Sequence, residues 1–411
     1  MSNLGRRIYF PKGIIAQSAE AKQSAGTANG TIGMAFSKGS PLVLSAVTDN
    51  MQGFKPDESA AYAPTAGVEK TRKLWKEQMI KKNPSLNPAG ISLPVVVPGL
   101  TAGLSYSADL FLNNGNNIIA SEPCWDNYSL IYETRRQGNL IGIPFFGSEN
   151  GLDLDAIRTA VEQQAKQGQV RIIFNFPNNP AGYSPTVKES EALVSLIRET
   201  AEKGTDVLVI SDDAYFGLFY EADINKESLF ANFAGLHENV LAIKIDGPTK
   251  EDYTWGMRCG FVTFGSKGLE EKHYEALVKK MMGTIRSSVS CSNTSAQFLM
   301  CKVYEDKRTQ EEKNRFMAIL QHRYDLVKGF IKANPDNPAL KPLPFNSGYF
   351  MSFICTGINA ETLRQELLSK HGIGVIALGS SCVRVAFSSI DDEKINSVYQ
   401  VIYDVAAGLK K

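Results

Sequence analysis

One lysine in this chain is placed where a lysine can act as a nucleophile. Lys250 ends the sequence Asp246-Gly-Pro-Thr-Lys250, directly after the apolar run 240–245, and Arg258 follows eight positions later. Burial at a strand end lowers the pKa of an ammonium group, and a nearby cation lowers it further. A neutral amine attacks carbonyl groups, so the segment predicts Schiff-base chemistry. Taken alone, an ordinary solvated loop lysine is an equal alternative.

Polar residues follow other apolar runs in the same manner. Asp212 comes directly after the run 207–210, and Asn179 lies in the turn Asn175-Phe-Pro-Asn-Asn-Pro-Ala-Gly182. A carboxylate at a buried strand end is costly unless it meets a cation or a hydrogen-bond donor. For each residue alone, the alternatives are a helix N-cap at Asp212 and an ordinary turn at Asn179.

Two further segments can contact a planar, phosphorylated ligand. Gly99-Leu-Thr-Ala-Gly103 is predicted to open a helix after a strand, so its free N–H groups and the Thr101 hydroxyl can bind a phosphate. Trp125 follows another predicted strand, where its ring can stack on a ligand. Glycine turns are common and a core tryptophan is the default, so neither signal is specific by itself.

These segments need a frame that brings their ends together. Short β-branched runs alternate with helical patterns, which indicates an α/β fold with a mostly parallel sheet and helices on both faces. Ligands bind outside the carboxyl ends of the strands in such sheets. The seven predicted strands are 95–97, 117–121, 140–143, 170–174, 207–211, 240–245 and 260–264.

The C-terminal part has a different pattern. A long helix is predicted over 309–333, and the proline-rich segment 335–344 is typical of a linker or hinge. Strands at 349–354 and 383–387, with helices after them, indicate a smaller α+β lobe. We therefore predict a large domain over 45–305 and a small domain formed by 1–44 and 306–411, with a cleft between them.

Composition excludes several classes of protein. The 411 residues are 43% hydrophobic and 21% charged, as in ordinary globular proteins. The net charge is only +1, from 44 basic and 43 acidic residues, which argues against nucleic acid as a partner. No apolar run reaches the roughly 18 residues of a membrane span. The six cysteines lack metal-ligand spacing, so we expect no metal and reduced thiols in the cytoplasm.

The order of these segments resembles the fold-type I pyridoxal-phosphate enzymes, and most closely the class I/II aminotransferases of the aspartate and aromatic amino acid group. The motifs that carry the resemblance are Pro-Asn-Asn-Pro-x-Gly at 177–182, Asp-x-Ala-Tyr at 212–215, and the lysine and arginine of 250–260. The resemblance covers nearly the whole chain. It implies a large domain with a seven-stranded, mostly parallel sheet between helices and a smaller α+β domain. It also implies pyridoxal 5′-phosphate as cofactor and a homodimer with shared active sites.

The resemblance assigns roles around the cofactor ring. Lys250 would hold the cofactor as a Schiff base and then act as general base at the substrate Cα. Asp212 would pair with the protonated pyridine nitrogen. Asn179 and Tyr215 would hydrogen-bond the 3′ oxygen, and Trp125 would stack on the ring. The residues implied for the cofactor phosphate are Leu100, Thr101, Ala102, Thr249, Arg258 and, from the neighbouring subunit, Tyr62.

The resemblance also implies a substrate site. Arg384 matches the arginine that clamps the substrate α-carboxylate, and Arg286 resembles the arginine that reads a distal carboxylate from the neighbouring subunit. Gly33 belongs to a segment that folds over the substrate, next to Asn179 and Trp125. The implied reaction moves the amino group of an aspartate, glutamate or aromatic donor to a 2-oxo acid such as 2-oxoglutarate, in a ping-pong cycle.

Some residues depart from the family pattern. Gly247 stands where a phosphate-binding serine is usual, Ala181 replaces a common threonine, and Pro248 stiffens the loop before Thr249. These departures leave the subfamily open. One alternative is a lyase or decarboxylase of the same fold. A cofactor-sensing transcription regulator would need a basic helix-turn-helix extension, whereas only about 30 residues precede the catalytic pattern.

Overall fold

The structure is a computed structural model that describes residues 1–11, 13–147 and 151–410. The strands are β1 (Ala28–Asn29), β2 (Phe36–Ser37), β3 (Ser40–Pro41), β4 (Val95–Val97), β5 (Asn117–Glu122), β6 (Asn139–Pro144), β7 (Gln169–Asn175), β8 (Asp206–Asp212), β9 (Val240–Asp246), β10 (Gly260–Gly265), β11 (Leu340–Pro342), β12 (Phe350–Cys355), β13 (Ile373–Gly374), β14 (Ile376–Leu378) and β15 (Cys382–Ala386).

The α-helices are α1 (Asn3–Arg7), α2 (Ile14–Ser24), α3 (Ser45–Asn50), α4 (Pro56–Ser59), α5 (Glu69–Lys82), α6 (Leu100–Phe111), α7 (Leu154–Ala165), α8 (Val187–Glu202), α9 (Leu229–Phe233), α10 (Pro248–Glu251), α11 (Glu271–Arg286), α12 (Thr294–Glu305), α13 (Thr309–Ala333), α14 (Ala360–His371) and α15 (Asp392–Leu409). In the described residues, no helix is both long and apolar enough to cross a membrane.

A seven-stranded sheet forms the centre of the large lobe, with strand order β4-β10-β9-β8-β7-β5-β6. The five strands from β9 to β6 pair in parallel, and β10 runs antiparallel to both of its neighbours. The predicted mostly parallel sheet and all seven of its strands are therefore confirmed. The one reversed strand, β10, lies between β4 and β9.

Both faces of this sheet are buried, which explains why its strands read as continuous apolar runs. In β8, Val207 and Val209 pack into one core while Leu208 and Ile210 pack into the core on the opposite face. This alternation follows from the two-residue period of a strand. It fixes the face to which the polar residues at the strand ends point.

A four-stranded antiparallel sheet, with strand order β11-β12-β15-β14, forms the small lobe. The helices α13, α14 and α15 pack in this lobe. The predicted linker at 335–344 is partly wrong, because β11 lies within it and pairs with β12. The prolines of this segment indicated a linker, but a strand at the edge of a sheet tolerates proline.

The N-terminal segment joins the small lobe. Strand β1 pairs in parallel with β13, and the buried amide of Gln17 in α2 exchanges two hydrogen bonds with the backbone of Ala377. In the large lobe, a π-helix spans Ser129–Arg135. π-Helices are rare in proteins, and many of those that occur lie at functional sites.

Candidate active site

Lys250 lies on the short helix α10, directly beyond the carboxyl end of β9. Its side chain is half-buried, and its Nζ lies 4.8 Å from the ring centroid of Tyr215. Burial lowers the pKa of Lys250 to about 8; Arg258 adds to this shift and Asp212 opposes it. A substantial fraction of this amine is therefore neutral near pH 8, which a solvated lysine would not allow.

Asp212 is the last residue of β8 and is buried. The Tyr128 hydroxyl donates to its Oδ2 at 2.6 Å, whereas Oδ1 has no hydrogen-bond partner among the described residues. Burial raises the pKa of Asp212 to about 6, against the opposing effects of Tyr128 and Lys250. The N-cap interpretation is wrong, because a turn follows Asp212 and the next helix begins only at Leu229.

The predicted phosphate turn lies at the N-terminus of α6, beside an arginine. Gly99 has φ of +88°, and a Cβ at this position would collide with the guanidinium of Arg258. That guanidinium is held by a 2.8 Å hydrogen bond to the Trp255 carbonyl. A helix N-terminus and a guanidinium together attract an anion. The amide of Ala102 already donates to the Gly99 carbonyl.

The glycine at position 247 has a steric reason. A Cβ at Gly247 would lie 2.9 Å from the Cys259 carbonyl oxygen and 3.0 Å from the Gly260 Cα. Both atoms belong to backbone, which cannot yield as a flexible side chain would. A serine therefore does not fit here without a backbone shift. The buried Thr249 is the hydroxyl on this loop, and its Oγ1 lies 3.4 Å from the Cys259 carbonyl oxygen.

A single cavity collects most of the residues predicted from the strand ends. Its lining includes Leu100, Thr101, Leu104, Trp125, Asn175, Asn179, Asp212, Ala214, Tyr215 and Lys250. These side chains come from the ends of β4, β5, β7, β8 and β9 and the turns after them. The parallel sheet thus brings together residues that are far apart in the sequence.

Arg384 lies in β15 of the small lobe and contacts Asn179 of the cavity lining. Its side chain is only 2% exposed; it donates to the Asn179 Oδ1 at 2.9 Å and to the Thr31 carbonyl at 3.0 Å. The guanidinium lies 4.1 Å from the ring centroid of Phe350, and its Nε has no acceptor within the described part of the chain. Gly33 is nearby, facing Tyr215 and Phe350.

The two residues predicted to serve the site of a neighbouring subunit lie on the surface. Tyr62 is 91% exposed, and Arg286 is exposed at the end of α11. Neither residue lines the cavity of its own chain. Their assigned roles depend on a second subunit and stay predictions.

Sequence reasoning missed three residues of the site. Tyr128 holds Asp212, Asn175 Nδ2 donates to the Asp212 carbonyl at 2.9 Å, and Phe350 lies against Arg384. Asn175 had a signal, since it ends a strand as Asp212 does. Tyr128 and Phe350 had none, because aromatic residues in apolar segments are usually core residues.

The family model for aminotransferase class I and II matches residues 34–402 of this chain. An arginine–pyruvate transaminase of Pseudomonas aeruginosa is 25% identical over 344 residues, which cover 83% of this chain and 79% of the relative. A probable aspartate/prephenate aminotransferase of Aquifex aeolicus is 24% identical, over 83% of this chain and 82% of the relative. Neither is a lyase or a decarboxylase.

Solved structures share the fold. An aminotransferase from Anaerococcus prevotii superposes with a TM-score of 0.87 at 22% identity, over 99% of each chain. The aspartate aminotransferase of Thermus thermophilus with maleate gives a TM-score of 0.75 at 19% identity, over 98% of this chain and 99% of that one.

The residues in the cleft fit the cofactor of this family. A pyridoxal phosphate needs an amine for its aldehyde, an anion for its ring nitrogen and a cationic cradle for its phosphate. Lys250, the free oxygen of Asp212, and the helix N-terminus beside Arg258 meet these three needs. This chain is a pyridoxal-phosphate-dependent transaminase that belongs to the class I and II aminotransferases.

Proposed function

We propose that this enzyme takes the amino group of aspartate, glutamate or an aromatic L-amino acid and transfers it to a 2-oxo acid such as 2-oxoglutarate. The observation that carries this proposal is Arg384, which is buried in the cleft that contains Lys250 and keeps its Nε free. A buried guanidinium with a free N–H suits a carboxylate. The relative named as a probable aspartate/prephenate aminotransferase supports the same class.

We propose that residues of the large lobe hold the cofactor. Asp212 binds the ring nitrogen through Oδ1, while Tyr128 keeps the carboxylate in place through Oδ2. Asn179 and Tyr215 meet the 3′ oxygen, and Trp125 covers the ring. Once bound, the cofactor supplies an electron sink for the bond that breaks at the substrate Cα. The phosphate residues are Leu100, Thr101, Ala102, Thr249, Arg258 and the partner subunit's Tyr62.

Lys250 moves the proton in this proposal. Its pKa of about 8 lies close to physiological pH, so both the protonated and the neutral amine are populated, which suits a group that must accept and return a proton. Arg384 fixes the substrate carboxylate, and Asn179 links the arginine to the cofactor side of the cleft through its Oδ1. Orientation of the substrate Cα toward Nζ follows from these two anchors.

We further propose a cytoplasmic homodimer in which each subunit completes the site of the other. Tyr62 and Arg286 are exposed, and the loop of Tyr62 is attached to α12 by a 2.7 Å bond between the Thr294 hydroxyl and the Ala61 carbonyl. Val289, three positions after Arg286, is an exposed apolar side chain that such an interface can bury. The division into 45–305 and 1–44 with 306–411 remains our proposed domain assignment.

The donor class is tested by the absorption spectrum of the protein with bound cofactor. L-aspartate, L-glutamate, L-tyrosine, L-alanine and L-arginine are added one at a time, with Lys250→Ala as control. We expect the band of the lysine-bound cofactor only when Lys250 is present, and its conversion to the amine form by aspartate, glutamate or tyrosine. Conversion by alanine or arginine alone would contradict the proposed donor class.

The shared site is tested by mixing two inactive variants. In a hybrid of Lys250→Ala and Tyr62→Ala subunits, one site carries both defects and the other site carries none. We expect the mixture to recover activity if Tyr62 acts in the partner's site. Two variants whose activities only average on mixing, despite subunit exchange, would show that Tyr62 serves its own chain or no site.

A further inference from the structure

Two acidic residues follow Lys250, and both are buried. The Asp252 side chain is fully buried and that of Glu251 is 13% exposed. Neither residue lines the cofactor cavity. Carboxylates are rarely buried without partners, so these two need an explanation that the reaction itself does not give.

Two lysines from distant helices neutralise these carboxylates. Lys313 of α13 lies 2.6 Å from Asp252 and 3.6 Å from Glu251, and Lys82 of α5 forms an ion pair with Glu251. The Tyr304 hydroxyl of α12 donates to Asp252 at 2.7 Å. We name Glu251, Asp252, Lys82 and Lys313 the ion cluster. Three helices thus hold the peptide that follows the reactive lysine.

The ion cluster is well placed to fix the backbone at Lys250. The Asp252 amide donates to the Pro248 carbonyl, which closes the helical turn that contains Lys250. On the other side, the hydroxyl of Tyr349 in the small lobe donates to the Lys250 carbonyl at 3.2 Å. Helix α13 itself packs on α15 of the small lobe. The backbone of Lys250 is therefore held by elements of both lobes.

Stability alone gives a weak reason for such a cluster. A buried ion pair often adds no more stability than apolar side chains of the same shape. Its advantage is directional, because two charged hydrogen bonds fix the position of a peptide more sharply than apolar contacts do. A lysine that must alternate between holding the cofactor and carrying a proton needs a fixed base for its mobile side chain. A displacement of about 1 Å can reduce a rate by up to about 100-fold.

We propose that the ion cluster positions Lys250, and that Lys313 is a positioning residue for the reaction. This proposal rests on the proposed role of Lys250. It predicts that the cluster affects the chemistry at Lys250 and leaves the carboxylate site at Arg384 unchanged.

The test uses a variant that removes both charges of the central pair. The double variant Lys313→Met with Asp252→Asn keeps the approximate shapes of both side chains and leaves no buried charge unpaired. Either single substitution would leave one buried charge without its partner. Lys313→Arg keeps the cation. The matched control is Lys328→Met on the same helix, because Lys328 also pairs with a large-lobe carboxylate, Glu221 at 3.0 Å, that is not adjacent to Lys250 in the sequence.

Three quantities are measured for each variant: the rate at which cofactor-free protein captures pyridoxal phosphate, kcat and KM for the amino donor, and the urea midpoint. We expect the double variant to be folded, with capture and kcat lowered about tenfold and KM changed by less than about twofold. Lys313→Arg should recover most of both rates, and Lys328→Met should match the wild type.

Two outcomes separate the possible failures. A folded double variant with wild-type capture and kcat, or equal losses in Lys328→Met, would overturn the positioning role. Absence of capture in the wild type and the control alike would instead contradict the proposed role of Lys250. A double variant that is unfolded is replaced by Tyr304→Phe, which removes the hydrogen bond to Asp252 of the cluster and leaves its charges paired; unchanged rates in that variant would also overturn the proposal.

Discussion

Asp212 and Asp213 are adjacent in the sequence and lie in opposite surroundings. Asp212 keeps one oxygen free toward the cavity that contains Lys250. Asp213 forms an ion pair with the buried Lys244 and accepts a 2.5 Å hydrogen bond from the Ser228 hydroxyl. A carboxylate that is left partly unpaired can bind a ligand, whereas one that is fully paired serves the fold.

The two lysines differ in the same way. Lys244 is 1% exposed and contacts both Asp213 and Asp246, so its pKa is raised although burial alone would lower it. Lys250 lies on the helix that follows β9, lines the cavity and has a lowered pKa. The difference between the two lysines is that Lys244 forms ion pairs with two carboxylates whereas Lys250 forms none with any residue that the structure describes, so burial dominates the pKa of Lys250.

The strongest test of this comparison replaces each of the two aspartates in turn by asparagine. Asp212→Asn removes the anion expected at the cofactor ring nitrogen, so we expect kcat to fall about 10²–10³-fold with little loss of stability. Asp213→Asn leaves the Lys244 charge without its main partner, so we expect a loss of about 3–5 kcal/mol in stability. Steady-state kinetics and urea unfolding of both variants measure these effects. Equal effects on kcat would show that the contrast between the two residues is false.

A second test concerns Lys244 alone. Lys244→Met leaves Asp213 and Asp246 as buried carboxylates, although the Trp75 indole still donates to Asp246 at 2.9 Å. We expect a loss of about 3 kcal/mol in the free energy of unfolding, and a recovery of at least half when Asp213→Asn is added. Urea denaturation of the single and double variants measures this coupling. Additive losses would contradict the pairing.

A smaller effect is expected from the residue that holds Asp212. Tyr128→Phe removes the donor to Oδ2, which raises the pKa of Asp212 because that bond favours the carboxylate. We expect kcat to fall about tenfold, with a change in the absorption spectrum of the bound cofactor.

Tyr132→Phe is the matched control for Tyr128→Phe. The ring of Tyr132 lies 5.9 Å from that of Tyr128, and its buried hydroxyl has no hydrogen-bond partner in the described ranges. We expect unchanged kcat and equal or greater stability, since no bond is lost. A similar loss of kcat in both variants would mean that packing, and not the bond to Asp212, matters.

The sequence predicts where the polar groups of the site lie but not which of them are paired. The alternation of strands and helices predicts the sheet, and the rule that ligands bind at strand ends brings Asp212, Asn179 and Lys250 together. The sequence does not show which of two adjacent aspartates is paired, because Lys244 reads as one polar residue within an apolar strand. Likewise, the clash that requires Gly247 comes from backbone that follows it by twelve positions.

Site residues that lie on separate segments of the chain were harder to predict. Tyr128 and Phe350 read as core aromatics, and their contacts with Asp212 and Arg384 depend on the packing of separate segments. The prolines around the edge strand β11 indicate a linker, and nothing in the sequence shows that this segment pairs with β12. Tyr62 and Arg286 depend on a second subunit, so no reasoning within one chain fixes their places.

The smallest expected effect is a shift in the pH at which Lys250 becomes reactive. Because its pKa is lowered to about 8, about half of the amine is neutral near pH 8 and nearly all of it is neutral above about pH 9. The rate at which cofactor-free protein captures pyridoxal phosphate should follow this curve. An ordinary lysine would continue to gain rate up to about pH 10.4.

Two variants should move this midpoint in opposite directions. Arg258 lowers the pKa of Lys250 and Asp212 raises it. Arg258→Met should therefore raise the midpoint and Asp212→Asn should lower it, each by a fraction of a pH unit to about one unit. The midpoint, and not the amplitude, is the quantity to compare, since both variants also weaken cofactor binding. Shifts in the same direction would contradict the opposite effects of Arg258 and Asp212 on the pKa of Lys250.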